Sequence, residues 1–123
     1  MAVKKGTTFA DVGDLLRYNR SVWNGVSPDR ALEYGDNGLG AWGLSTVRGT
    51  GPCIALDRDE IATATGSSHR QPRRLVRVSF QDKTVECQVR DVAPSGICDL
   101  NPDAAAELGS KPPWSGLVDI VWI

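Results

Sequence analysis

The chain has 123 residues, a length that suits one domain around one core. Its net charge of −1 gives no general attraction to nucleic acid, and no apolar run approaches the length of a membrane span. Thirteen glycines and seven prolines favour a loop-rich, strand-rich fold over a helical bundle.

The start of the chain carries Lys4 and Lys5 with no apolar segment behind them, so it is not patterned as a secretory signal peptide. Export is then expected only by another route or after loss of a leader. Residues 1–30 are expected to form a helical extension packed on a main body. Phe9, Val12, Leu15, Leu16 and Trp23 recur at helical spacing, with Thr8 as N-cap and Trp23 docking the helix on that body. Ser27 followed by Pro28 marks a second helix start.

From Leu32 the texture changes. "LEYGDNGLGAWG" reads as a short strand followed by glycine-rich turns, and "CIALDRDEIA" as a strand and then a turn or short helix. "ATGSSHRQPRR" is a polar loop. "RLVRVSF" and "TVECQVRD" alternate around a tight turn, the pattern of a β-hairpin, with Val85, Cys87, Val89 and Asp91 on one strand face. Asn101 is an N-cap, Pro102 opens a helix and Gly109 ends it. "KPPWSG" is a loop, and "LVDIVWI" is a closing strand apolar enough for burial on both faces, with Trp122 in the core. About six short strands and one or two short helices predict a small, mainly β barrel spanning residues 31–123.

Three cysteines, Cys53, Cys87 and Cys98, allow buried free thiols or a single Cys87–Cys98 bridge. None has zinc-site spacing and the chain has one histidine, so no metal or other cofactor is expected.

Four pieces in the same order resemble the double-psi β-barrel domains of expansins, barwin-like proteins and RlpA-like lytic transglycosylases. They are "YGDNGLGAWG", "CIALDRDEIA", "VECQVRDVAP", and "ICDLNPDAAAELG" followed by Gly116 and "VDIVWI". The resemblance covers residues 32–123 and implies a six-stranded double-psi barrel directed at cell-wall polysaccharide. It departs from the family in two places. Val92 and Ala93 stand where relatives keep Arg-Gly or an aromatic, and Trp42 stands where they keep a cysteine.

The resemblance gives Asp91 the role of general acid at a glycosidic oxygen, a task that suits a carboxyl of raised pKa. The alternative is a turn residue accepting backbone amides. Asp99 matches a second family aspartate in the same groove, or else organises the turn into the helix capped by Asn101. His69 matches a groove histidine that pairs with the acid, or is a solvated loop residue. Glu33 and Asp36 are candidates for a second carboxylate. Tyr34, Trp42 and Trp114 are candidates for stacking on sugar rings. Arg70, in a cluster with His69, Arg73, Arg74 and Arg77, is a candidate for meeting glycan carboxylates.

A lytic transglycosylase needs only one acid/base, because the sugar's own 6-hydroxyl attacks. The expected function is therefore a peptidoglycan lytic transglycosylase, with polysaccharide as partner. The alternative is a non-catalytic module of the same fold, binding glycan or a protein partner as an inhibitor or a phage or secretion-particle component.

Overall fold

The computed structural model describes residues 2–111 and 114–123. Six strands close into one barrel: β1 (Ala2–Thr8), β2 (Cys53–Leu56), β3 (Val76–Phe80), β4 (Lys83–Val92), β5 (Ile97–Leu100) and β6 (Ser115–Trp122). Among the described residues four helices decorate it: α1 (Val12–Trp23), α2 (Pro28–Ala31), α3 (Arg58–Thr65) and α4 (Pro102–Glu107). Among the described residues, no helix is long and apolar enough to cross a membrane.

Around the ring the order is β1-β5-β2-β4-β3-β6. β1 and β5 run parallel, as do β2 and β4, and the other neighbours are antiparallel. Advancing every strand three places along the chain reproduces the same ring, so the order has an internal two-fold symmetry. The details follow it. α3 comes after β2 as α4 comes after β5. The Phe9 amide donates to Leu100 O at 3.0 Å, and its counterpart Ala93 donates to Leu56 O at 2.9 Å.

The hairpin is as the alternation predicts: Val76 and Val78 face Val85 and Cys87 across β3 and β4, and all four are buried. Ile54, Leu56, Leu100, Val118 and Ile120 complete the barrel interior. Asn101 caps α4, its side chain accepting from the Ala104 amide at 2.9 Å.

Several expectations are corrected. Ala2–Thr8 is a barrel strand, not part of a helical extension, and lies between β5 and β6. The helix behind it is capped by Asp11, not Thr8, through the Asp14 amide at 2.8 Å. α1 has no buried residue, and Trp23 is 88% exposed, so it docks nothing. The stretch after Leu32 is a series of turns with one isolated bridge, Leu39 to Ser45, and no strand. β5, unforeseen, takes its place in the count. The closing strand is buried on one face only: Val118 and Ile120 point inward, while Leu117 and Val121 are exposed. All three cysteines are buried free thiols, the first of the two alternatives the sequence allows. Burial pushes the Cys53 thiol up to about 11 and raises those of Cys87 and Cys98. Of the expected loop after Gly109, Pro112 and Pro113 lie outside the described residues.

Candidate functional site

β4 carries an irregularity that decides where its acid goes. Ile54 of β2 pairs with Val89, but the next residue, Ala55, pairs with Asp91. Arg90 is the extra residue of a β-bulge, and a bulge re-aims the side chains beyond it. Strict alternation would have kept Asp91 on the barrel-interior face of Val85, Cys87 and Val89. The bulge moves it to the outer face with Ala55. There the registers draw one row across four strands: Thr7, Asp99, Ala55, Asp91. At the usual strand spacing the two aspartate backbones stand about 10 Å apart.

Above Asp91 lies an open cleft of about 480 Å³. Its wall is the 32–43 segment, including Leu32, Asp36, Leu39 and Ala41. This wall sits very close to β4: a Cβ on Gly40 would lie 1.7 Å from Arg90 O, so only glycine allows the approach. The Arg90 side chain fastens the segment that follows. Its guanidinium donates to Ser45 O at 2.9 Å and to Thr50 O at 3.0 Å. Arg90 thus makes the bulge with its backbone and anchors the neighbouring loop with its side chain.

The carboxylates of this region repel one another. Burial raises the Asp91 pKa, the Val92 N–H bonded to Oδ1 at 2.8 Å works against that, and the Asp36 charge raises it further. Burial also raises Asp36, opposed by the Gly38 N–H at 2.6 Å and assisted by Asp14. Asp99 is raised by burial, held down by the Thr7 hydroxyl that donates to it at 2.5 Å, and raised again by Asp14, Asp91 and Asp36. The result is a cleft with two carboxyls, Asp36 and Asp91, that each keep a proton to higher pH than a free carboxyl does.

The sign of the pH effect follows. For each of these acids the folded state holds its proton above the pKa of the unfolded chain, so stability falls as pH rises from about 4 through the folded pKa. Asp91→Asn removes one of the repelling charges. It is expected to raise stability at neutral pH by roughly 1 kcal/mol. It should also shrink the drop in urea midpoint between about pH 4.5 and pH 7. An unchanged drop would show that Asp91 is not one of the groups responsible.

The other sequence-derived positions fall in different places. Asp99 is bonded to Thr7 and does not line the cleft. His69 is exposed, with Nδ1 3.0 Å from Arg58 Nη1, and its hydrogen-bond partners do not include Asp91. Trp42 donates its indole N–H to His69 O at 3.0 Å and packs on the core, between the cleft residues Ala41 and Gly43. Tyr34 is half exposed beside the cleft, its carbonyl accepting from Arg17 Nε at 3.1 Å. Glu33 is exposed and outside the cleft lining.

Trp114 stands edge-on to Phe80 with ring centroids 4.9 Å apart. It also covers Gly6 and Gly116, where any Cβ would collide with its ring. Arg70 donates to Thr65 O at 3.2 Å, Arg74 to Ile123 O, and Arg77 pairs with Glu86. Much of the basic cluster therefore ties the surface of the barrel together.

Asp14 and Thr7, which shape the charge of the row, went unread in the sequence; Asp14 looks there like an ordinary acid in a first helical turn. Among the described residues, no group of three or more His, Cys, Asp or Glu side chains is placed to hold a metal ion. No protein-family model matches the sequence, and no curated protein is significantly similar to it.

Proposed function

We propose that the chain is a double-psi β-barrel that acts on cell-wall glycan, as a peptidoglycan lytic transglycosylase with Asp91 as general acid and base. The observation that carries this reading is the bulge-directed placement of Asp91 in an open cleft beside Asp36, with both carboxyls shifted toward their protonated forms. The two-fold strand order with a helix after the second strand of each half supports the double-psi assignment.

In the proposed reaction, the Asp91 carboxyl protonates the glycosidic oxygen as the C1–O bond breaks. The resulting carboxylate then takes the proton of the same sugar's 6-hydroxyl as that oxygen bonds to C1. The products are a 1,6-anhydro sugar and a free 4-hydroxyl, and Asp91 ends with its proton restored. The Asp36 charge favours the protonated form of Asp91 at the start. Tyr34, half exposed between the cleft residues Leu32 and Gly35, is the aromatic assigned to meet a sugar face.

A second reading is favoured by one contact. The Val92 amide donates to Asp91 Oδ1 at 2.8 Å, the bond expected of a turn residue in a glycan-binding module that does not cleave.

Incubation with purified peptidoglycan followed by mass spectrometry separates the two. Cleavage predicts 1,6-anhydro products that fall by about 10²–10⁴-fold in Asp91→Asn. Retention on insoluble glycan with no such product would sink the catalytic reading and leave the binding module.

A further inference from the structure

Helix α1 presents its two faces the wrong way round. At about 100° per residue, Asp14, Arg17, Tyr18 and Ser21 fall on one side of it, and Val12, Leu16, Asn19 and Trp23 on the other. The polar side faces the body of the protein. The Asp36 amide donates to Asp14 O at 3.1 Å, and Arg17 Nε donates to Tyr34 O at 3.1 Å. Gly35 packs so closely that a Cβ there would collide with Asp14 O. The apolar side faces solvent: Val12 is 65% exposed, Leu16 54% and Trp23 88%. An amphipathic helix on a folded domain ordinarily turns its apolar stripe inward. A stripe held outward by bonds on the polar side marks a surface for contact with something else.

The pattern of the stripe selects the occupant. Residues 11–24 carry two acids, Asp11 and Asp14, and two arginines, Arg17 and Arg20, so no net charge draws the helix to an anionic bilayer. The stripe is complementary to itself. It runs from the first residue of α1 to the last, with the small Val12 at one end and the large Trp23 at the other. Two copies packed antiparallel about a two-fold axis lay each Trp23 over the other copy's Val12. Parallel copies would set bulk against bulk and leave a gap between the valines. In the antiparallel register the midpoint falls between residues 17 and 18, so Leu16 of each copy lies opposite Asn19 of the other. The two Asn19 side chains then stand about 4.5 Å apart along the helices, within reach of each other. A polar residue in an apolar seam fixes its register.

Area sets the strength of the contact. Val12, Leu16 and Trp23 expose roughly 400 Å² in each copy, where a standard interface takes about 800 Å² from each partner. Val22 and the aliphatic stem of Arg20 flank the stripe and widen it. The pair therefore belongs at the weak end of specific interfaces and forms as concentration rises. We infer that the chain forms an antiparallel dimer through the outer face of α1, with Trp23 of each copy seated on Val12 of the other. This dimer is independent of the reading of the Asp91 cleft.

The experiment is sedimentation equilibrium of the full chain from about 1 µM to about 500 µM. A monomer–dimer equilibrium is expected. Leu16→Glu and Trp23→Glu alter exposed side chains, so the circular dichroism spectrum and urea midpoint should hold while the dissociation constant rises about thirtyfold or more. Orientation is read by amide NMR on a mixture of isotope-labelled chain and unlabelled Asn24→Cys chain carrying a spin label. The native cysteines are buried, so the label goes to position 24 alone. Intermolecular broadening is expected at the amides of residues 11–14, at the opposite end of α1. A monomer at every concentration, a dimer that both glutamate variants leave intact, or broadening at residues 22–25 instead overturns the inference. Binding of a monomeric parent chain to phosphatidylcholine vesicles, lost in Trp23→Glu, would give the stripe to a membrane surface and overturn it equally.

Discussion

Asn101→Leu is expected to cost about 4–5 kcal/mol, enough to unfold much of a domain of ordinary stability. Asn101 is fully buried, and its amide is used on every side. Oδ1 accepts from the Cys53 amide at 3.0 Å and the Ala104 amide at 2.9 Å; Nδ2 donates to Thr46 O at 3.0 Å and Gly51 O at 3.1 Å. Leucine fills a similar space and satisfies none of these groups. It removes a helix cap and leaves backbone donors and acceptors buried without partners. Asn101→Asp keeps the acceptor and loses the donor, so an intermediate loss is expected. Urea denaturation followed by circular dichroism measures both. A loss under about 1 kcal/mol for Asn101→Leu would mean that the cap is all Asn101 provides.

The second large effect sits at the counterpart position in the other half of the barrel. Asp57 precedes α3 as Asn101 precedes α4, and its Oδ2 accepts from the Gly96 amide at 3.1 Å, just before β5. Here the remaining valences go to an ion pair. Lys4 Nζ lies 3.1 Å from Asp57 Oδ1 and 3.1 Å from Glu60 Oε1, with side-chain exposures of 11%, 6% and 18%. Glu60 also accepts from the Trp122 indole at 3.3 Å.

Lys4→Met leaves two largely buried carboxylates without their cation, and a loss of about 3–5 kcal/mol is expected. Burial lowers the Lys4 pKa, but the bonds to Glu60 and Asp57 outweigh it and the net shift is upward. That contribution is fully present at neutral pH and is lost only as pH rises through the folded, alkaline pKa. The double variant Lys4→Met with Asp57→Asn should recover part of the loss. If the single variant unfolds at the parent urea concentration, the ion pair contributes nothing.

Lys4 also explains what could be read from the sequence and what could not. The β3–β4 hairpin was legible because its inward residues are apolar and its outward ones polar. β1 was not, because its inward positions are Ala2, Lys4 and Gly6, and no pattern of period two announces a strand whose core residue is a paired lysine. The α4 start was legible from Asn101 and Pro102, since capping is local chemistry.

The Asp36–Asp91 cleft joins segments far apart in the chain, so either of two acids, Glu33 or Asp36, fitted the sequence equally well. Trp23 and Leu16 read as a packing face because helical spacing records which residues share a face, and does not record whether anything covers it. The orientation of Asp91 was hidden most completely. The run Val85, Cys87, Val89, Asp91 alternates without a break, and only the partner strand reveals that Arg90 is one residue too many.

That single surplus residue makes the cleft sensitive to chain length in a way that side-chain substitution does not test. Deleting Arg90 would pair Val89 and Asp91 with Ile54 and Ala55 in an unbroken ladder and leave Asp91 on the outer face, but it would remove the carbonyl that Gly40 packs against and the guanidinium that holds Ser45 O and Thr50 O. A one-residue deletion in β4 thus keeps the acid's facing and takes away the footing of the wall above it.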